Sequence, residues 1–164
     1  MDQARISALQ RMPIFGGIRD DVLQFLIGQA RSVTIAAGEY FFRENDAAQS
    51  LFVLESGRVA ILKQWNGQMR RLAELGPGDC FGEMALMDLM PRSASVRATE
   101  PCRAIVVSPA SLYRLYEKDL EQFTMIQMNM GREVTRRLRE ADERLFRARM
   151  GTPAVDEQYV FRAS

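Results

Sequence analysis

Residues 81–96 hold the side chains best suited to bind a ligand. They read Phe81-Gly82-Glu83-Met84-Ala85-Leu86, then Met87-Asp88-Leu89-Met90, then Pro91-Arg92-Ser93-Ala94-Ser95-Val96. Gly82 lets backbone come close to another group. The stretch Glu83-Met84-Ala85-Leu86 suits one or two helical turns, whose first N–H groups lack helical partners and attract anions. Pro91 cannot continue that helix. Arg92 then opens a strand through Ser93-Ala94-Ser95-Val96. A guanidinium beside free helix N–H groups matches a phosphate, whose oxygens take paired donors. Glu83 would repel a phosphate set directly on it, yet it can accept from hydroxyls nearby. These residue types fit a sugar phosphate or a nucleotide. An Arg92–Glu83 ion pair on a barrel rim, binding nothing, would use the same two side chains.

Other chemistry is excluded by what the chain lacks. Its 164 residues contain no histidine, which removes His triads, His general bases and His metal ligands. The two cysteines, Cys80 and Cys102, have no Cys-x-x-Cys spacing. They are too few for a zinc site or a disulfide framework and read as small buried hydrophobes. No nucleophile–base pair is recognisable, so neither an enzyme nor a cofactor is expected. Lys plus Arg total 22 against 21 for Asp plus Glu, a net charge of +1, so bulk charge gives no case for nucleic-acid binding. Hydrophobic residues make up 47%, ample to offset ordering entropy. No run approaches the ~18 uncharged apolar residues of a membrane span. Met1-Asp2-Gln3-Ala4-Arg5 has no apolar signal core, and the expected location is cytoplasmic.

The elements that must position residues 81–96 follow from composition and punctuation. Residues 1–30 read as helical, with Pro13 ending a first segment and Gly28 a candidate stop for a second. Residues 31–108 are rich in β-branched and aromatic types, with glycines at 38, 57, 67, 76, 78 and 82. Short strands with turns every 8–12 residues or so indicate a sandwich or barrel. Asn66-Gly67 is the strongest hairpin signal, because both residues tolerate positive φ. Leu75-Gly76-Pro77-Gly78-Asp79 is a second corner. Residues 109–150 read as helices, and 151–164 as a tail.

Taken whole, the run from Phe81 to Val96 resembles the phosphate-binding cassette of the cyclic nucleotide-binding domain family. The pattern is Phe-Gly-Glu-x-Ala-Leu, four spacers, then Pro-Arg-x-Ala-x-Val. Gly38, Gly57 and the Leu-Gly-Pro-Gly-Asp corner match as well. The likeness extends over about residues 10–148 and includes the sensors of bacterial catabolite activators and kinase regulatory subunits. It implies a mainly β fold: an antiparallel jelly-roll-type β-barrel with N-terminal helices and a long C-terminal helix. It implies that Arg92 pairs with a cyclic phosphate, Glu83 accepts from the ribose 2′-hydroxyl, and Gly82 lies near the ribose. Ser93 and the Ala94 N–H would also contact the phosphate. The expected ligand is a 3′,5′-cyclic nucleotide, cyclic AMP ahead of cyclic GMP, bound by a stand-alone sensor. The alternative is the sensor portion of a longer DNA-binding regulator or ion channel.

Two departures from that family shape the expectation. Aligning on Arg136-Arg137-Leu138 places Ala141 and Asp142 where catabolite activators carry a base-contacting Thr-Ser pair, so base recognition must differ. The chain also stops at Ser164, before the length of a helix-turn-helix module, so DNA binding is not expected of it. Val134, Leu138, Ala141, Leu145 and Ala148 recur at alternating spacings of four and three. That is a coiled-coil seam, and a homodimer through the C-terminal helix is the expectation, with an unknown downstream effector.

Overall fold

The computed structural model describes residues 3–151. Helix α1 (Gln3–Gln10), a 3-10 turn (Pro13–Phe15) and α2 (Asp20–Gln29) lead into strands β1 (Arg31–Ile35), β2 (Tyr40–Phe42), β3 (Leu51–Ser56), β4 (Val59–Trp65), β5 (Gln68–Leu75) and β6 (Cys80–Phe81). Helix α3 (Met84–Asp88), β7 (Ser95–Ala98), β8 (Cys102–Val107), α4 (Pro109–Lys118) and α5 (Leu120–Met150) follow. Pro13 starts the 3-10 turn, and α1 ends before it, at Gln10. Gly28 is no stop: α2 runs through it and is capped by Ala30, whose backbone is extended.

The strands form two antiparallel four-stranded sheets, in the orders β1-β8-β3-β6 and β2-β7-β4-β5. The first strand pairs with the last, the second with the seventh, the third with the sixth and the fourth with the fifth. One long hairpin, with its tip at Asn66-Gly67, has thus been rolled into a jelly-roll barrel. Both tip residues have positive φ, 48° and 75°.

The first sheet is covered on both faces, which explains its unbroken apolar runs. Leu51, Phe52, Val53 and Leu54 are all buried. Alternation sends Leu51 and Val53 to a core shared with the helices, and Phe52 and Leu54 to the barrel interior. In β8, Ile105 and Val107 face the helices, while Ala104 and Val106 face the barrel. The helical layer is closed by Ile6, Leu9, Phe15, Leu23, Leu26, Leu115, Ile126 and Met130.

Asp119 separates α4 from α5. Its carboxylate accepts from the Gln122 N–H at 3.0 Å and caps α5. The buried Asn129 then fastens α5 to the N-terminal turn. Its Nδ2 donates to Ile14 O at 3.1 Å and Gly16 O at 2.9 Å. Arg19 N–H donates to Gln122 Oε1 at 2.8 Å, and Arg19 pairs with Asp119 at 2.6 Å. The first half of α5 is held rigidly against the sheet by these contacts.

Gly57 joins β3 to β4 at φ +86°, and a Cβ there would lie 2.4 Å from Pro101 O and 2.7 Å from Cys102 Sγ. Gly38 has a similar φ, +88°, with nothing in the way of a Cβ. Gly38→Ala therefore tests backbone strain alone, expected at about 1–2 kcal/mol. Gly57→Ala adds overpacking against backbone and should lose about 1–3 kcal/mol more. Chemical denaturation of the two variants checks the difference, and equal losses would contradict the packing argument.

Candidate functional site

A cavity of about 490 Å³ opens between residues 81–96, β4, β5 and α5. Gly82, Glu83, Arg92, Ser93 and Ala94 all line it. The five residues singled out from sequence thus share one wall. Ser95 does not join them: it is buried, and its Oγ accepts from the Glu44 N–H at 2.8 Å.

Arg92 is only 5% exposed. Its Nη1 donates to Gly82 O at 3.0 Å and its Nη2 to Ser50 O at 2.7 Å. The guanidinium carbon lies 4.0 Å from the centre of the Phe42 ring, a cation–π contact. Phe42 belongs to a cluster with Phe41, Phe52 and Phe81, in which Phe52 and Phe81 stack at 5.4 Å. Burial lowers the guanidinium pKa from its ordinary value, while Asp46 and Glu83 act in the opposite sense. Arg92 stays a cation. Its Nε is buried and has no hydrogen-bond partner. A phosphate oxygen is the kind of acceptor that Nε lacks.

Gly82 explains how a guanidinium fits there. Its φ is +82°, and a Cβ would stand 2.5 Å from Arg92 Nη1 and 3.2 Å from Ser50 O. The missing side chain is the slot that Arg92 occupies. Backbone bonds hold the other side: Arg92 N–H donates to Asp46 O at 3.0 Å, and Asn45 N–H to Arg92 O at 2.9 Å.

Glu83 is 2% exposed and does not pair with Arg92. Its Oε1 accepts from Arg137 Nη1 at 2.8 Å. Its Oε2 is buried and has no donor. An unsatisfied buried acceptor costs about 1–3 kcal/mol, and a hydroxyl donor would recover that. Arg137 comes from α5. It also donates to Cys80 O and lies 3.9 Å from Glu133, itself buried. The adjacent Cys80 thiol is pushed up to about 12, by burial first and by Glu83 second. It is a neutral core group.

The far end of the cavity is built from Leu72, Ala73, Ala141 and Arg144. The register of β4 and β5 shifts between Ile61 and Leu62, which leaves Leu72 as a bulge in β5. The Leu72 carbonyl accepts from Arg144 Nη1 at 3.0 Å. Ala141 faces this end, as the alignment on the long helix anticipates, and offers no hydrogen bond. Arg137, Arg144 and Lys63 are cavity residues that sequence reading missed. Arg137 carried a signal only in hindsight: it lies one helical turn past Glu133 on the face that α5 buries.

Residues 32–119 match the family model described as "Cyclic nucleotide-binding domain". The "Cyclic AMP receptor protein" of Thermus thermophilus is 32% identical over 135 residues, 79% of this chain and 59% of that protein. A "cGMP-dependent protein kinase" of Toxoplasma gondii is 38% identical over 90 residues, 55% of this chain and 9% of the kinase. The chain thus spans less than two thirds of these curated relatives. Among solved structures, a cyclic nucleotide-binding domain from Methylobacillus flagellatus superposes with a TM-score of 0.79 over 93% of this chain and 83% of its own, at 24% identity. That likeness concerns the fold. The cassette, the jelly-roll barrel around it and a family match over more than half the residues agree: this chain belongs to the cyclic nucleotide-binding domain family.

Proposed function

We propose that the cavity binds a 3′,5′-cyclic nucleotide, cyclic AMP in the first instance, and that the chain is a sensor acting through α5. One observation carries the reading most: two residues lining the same cavity each hold a buried polar atom without a partner, Glu83 its donorless Oε2 and Arg92 its acceptorless Nε. One wants a hydroxyl and the other an anion. A cyclic ribonucleotide supplies both, as its 2′-hydroxyl and its phosphodiester. Ser93 and Ala94, beside Arg92 on the wall, are assigned to the phosphate, and Gly82 to the ribose. The cyclic AMP assignment is supported by the Thermus relative, which aligns over more of this chain than the kinase does.

The α5 side of the proposal rests on Glu83 as well. Its other oxygen holds Arg137, so ligand and helix would share one carboxylate. Beyond that point Leu138 and Leu145 are 59% and 51% exposed. We assign them to a homodimer seam with Val134 and Ala141, although Ala141 also forms cavity wall. No described helix is long and apolar enough to cross a membrane.

Titration calorimetry with cyclic AMP, cyclic GMP, AMP and 2′-deoxy cyclic AMP tests the ligand. The cyclic ribonucleotides should bind, and at 100 times the Kd they should add about 2.7 kcal/mol to stability. Arg92→Leu should lose about 2–5 kcal/mol of binding, and near-wild-type affinity would remove Arg92 from the site. The 2′-deoxy ligand should bind about 1–3 kcal/mol more weakly than its parent, because the carboxylate stays unsatisfied. In Glu83→Ala that gap should shrink. Light scattering tests the seam: the wild type should be a dimer with or without ligand, and Leu138→Glu with Leu145→Glu a monomer. A wild type near 18.7 kDa would leave the helix as a lid on its own barrel.

A further inference from the structure

Strand alternation carries the barrel-facing side of β4 from apolar residues to a charge at its exposed end. Val59 and Ile61 turn into the barrel core, and Lys63 is next on that face. It lines the cavity with Arg92, Ser93 and Ala94. Its Nζ donates to Ser93 O at 2.9 Å and pairs with Glu44 Oε1 at 3.2 Å. The ammonium therefore contacts the residue that follows Arg92, on the assigned phosphate wall. Glu44 is a fixed anchor. Its Oε2 accepts from the Gln64 N–H at 3.1 Å. That amide first, and Lys63 second, hold its carboxyl below the usual range.

Arg92 meets an incoming phosphodiester with part of its donor set already used. One N–H of each Nη is taken by a carbonyl, and Asp46 and Glu83 lie near enough to act on its charge. The ligand brings a further negative charge to a guanidinium that two carboxylates already influence without pairing with it. We infer that Lys63 is a second cation of the phosphate subsite, parked on Glu44 until an anion arrives. An ammonium has three donors. It can keep Ser93 O, turn from Glu44 and donate a hydrogen bond to a phosphate oxygen. The half-exposed side chain, at 50%, has room to do so. Glu44 keeps the Gln64 amide meanwhile, so its carboxylate is not stranded. This role rests on the cyclic-nucleotide reading and adds a residue outside the 81–96 segment to it.

The test measures Kd for cyclic AMP and cyclic GMP in the full chain across a series of salt concentrations. Four proteins are compared: wild type, Lys63→Met, Lys63→Arg and Glu44→Gln, each checked for an unchanged thermal midpoint without ligand. Lys63→Met should weaken binding about threefold to tenfold at low salt, with a shallower salt dependence, since screening then acts on one fewer exposed charge. Lys63→Arg should keep the wild-type salt dependence. Glu44→Gln should tighten binding, because it releases the ammonium. If Lys63 only clamped Ser93 in place, Glu44→Gln would weaken binding or leave it alone, and that result overturns the inference. So does a Lys63→Met protein with wild-type affinity and salt response. If wild type binds neither nucleotide, the cyclic-nucleotide reading falls and this inference falls with it. If wild type binds and Lys63→Met is indifferent, only this inference falls.

Discussion

Burying the guanidinium of Arg92 without a paired carboxylate is the constraint around which the site is arranged. Removing a cation from water is costly unless its N–H groups find acceptors. Here two backbone carbonyls and an aromatic face supply most of that compensation. Each supplier dictates something else. Gly82 must lack a side chain so that Arg92 can reach its carbonyl. Ser50 must hold its carbonyl at the start of β3. Phe42 must lie on β2, whose register against β7 breaks between Tyr40 and Phe42. The packed rings of Phe41, Phe52 and Phe81 then keep Phe42 in place. The result is a cation held in one position with its Nε–H and a second N–H on each Nη still to be used, which is what preorganised recognition of an anion requires.

The two-sided burial of the first sheet serves the same site from the other direction. Because Leu51, Val53, Ile105 and Val107 need cover, the N-terminal helices and the start of α5 pack on that face. Asn129 and Gln122 set the depth and rotation of α5 through backbone groups at Ile14, Gly16 and Arg19. Once Asn129 is fixed, helical geometry places residues 133 and 137 along the same face, and Arg137 meets Glu83. The position of the long helix over the cavity thus follows from core packing far from any ligand.

Residues 81–96 were legible because their chemistry is local. Gly, Glu, Pro and Arg at fixed offsets imply a turn, a short helix and a strand, although the strand expected to open at Arg92 begins only at Ser95 and leaves Arg92, Ser93 and Ala94 in irregular backbone. The hairpin at Asn66-Gly67 and the apolar run of β3 are local in the same way. What could not be read depends on contacts between distant segments. Arg137 and Lys63 look like ordinary surface cations in a chain with 22 Lys and Arg residues, and only the rolled barrel and the placement of α5 make them cavity residues. Gly28 carried a stop signal that packing overrode. It lies in the last turn of a helix whose apolar face, Val22, Leu23, Leu26 and Ile27, is fully engaged. A helix held by burial can absorb the roughly 1 kcal/mol that glycine costs. Ser95, between a cassette Ala and a buried Val, accepts from the Glu44 N–H of the distant β2–β3 connection.

The carboxylate of Glu83 is where packing and recognition meet, and its two oxygens differ in kind. Oε1 is satisfied by the protein through Arg137, whereas Oε2 is left for something else. Buried carboxylates tolerate that imbalance only because the ion pair holds their charge. Losing Arg137 would leave Glu83 charged, buried and unpaired, a far costlier state than one missing hydroxyl. The proposed ligand therefore would not need to displace Arg137 in order to bind. It would add a donor to an oxygen that has none and leave the pair intact. A ligand can shift α5 only by its difference in affinity between positions of the helix, whether at that second oxygen or at the cavity-lining Arg144. The far half of α5 borders the cavity. Past Glu133, it touches the barrel through Arg137 at the cassette and through Arg144 at the Leu72 bulge. Both contacts border the cavity, so a molecule that fills it meets Arg137 and Arg144, two side chains through which the helix contacts the barrel.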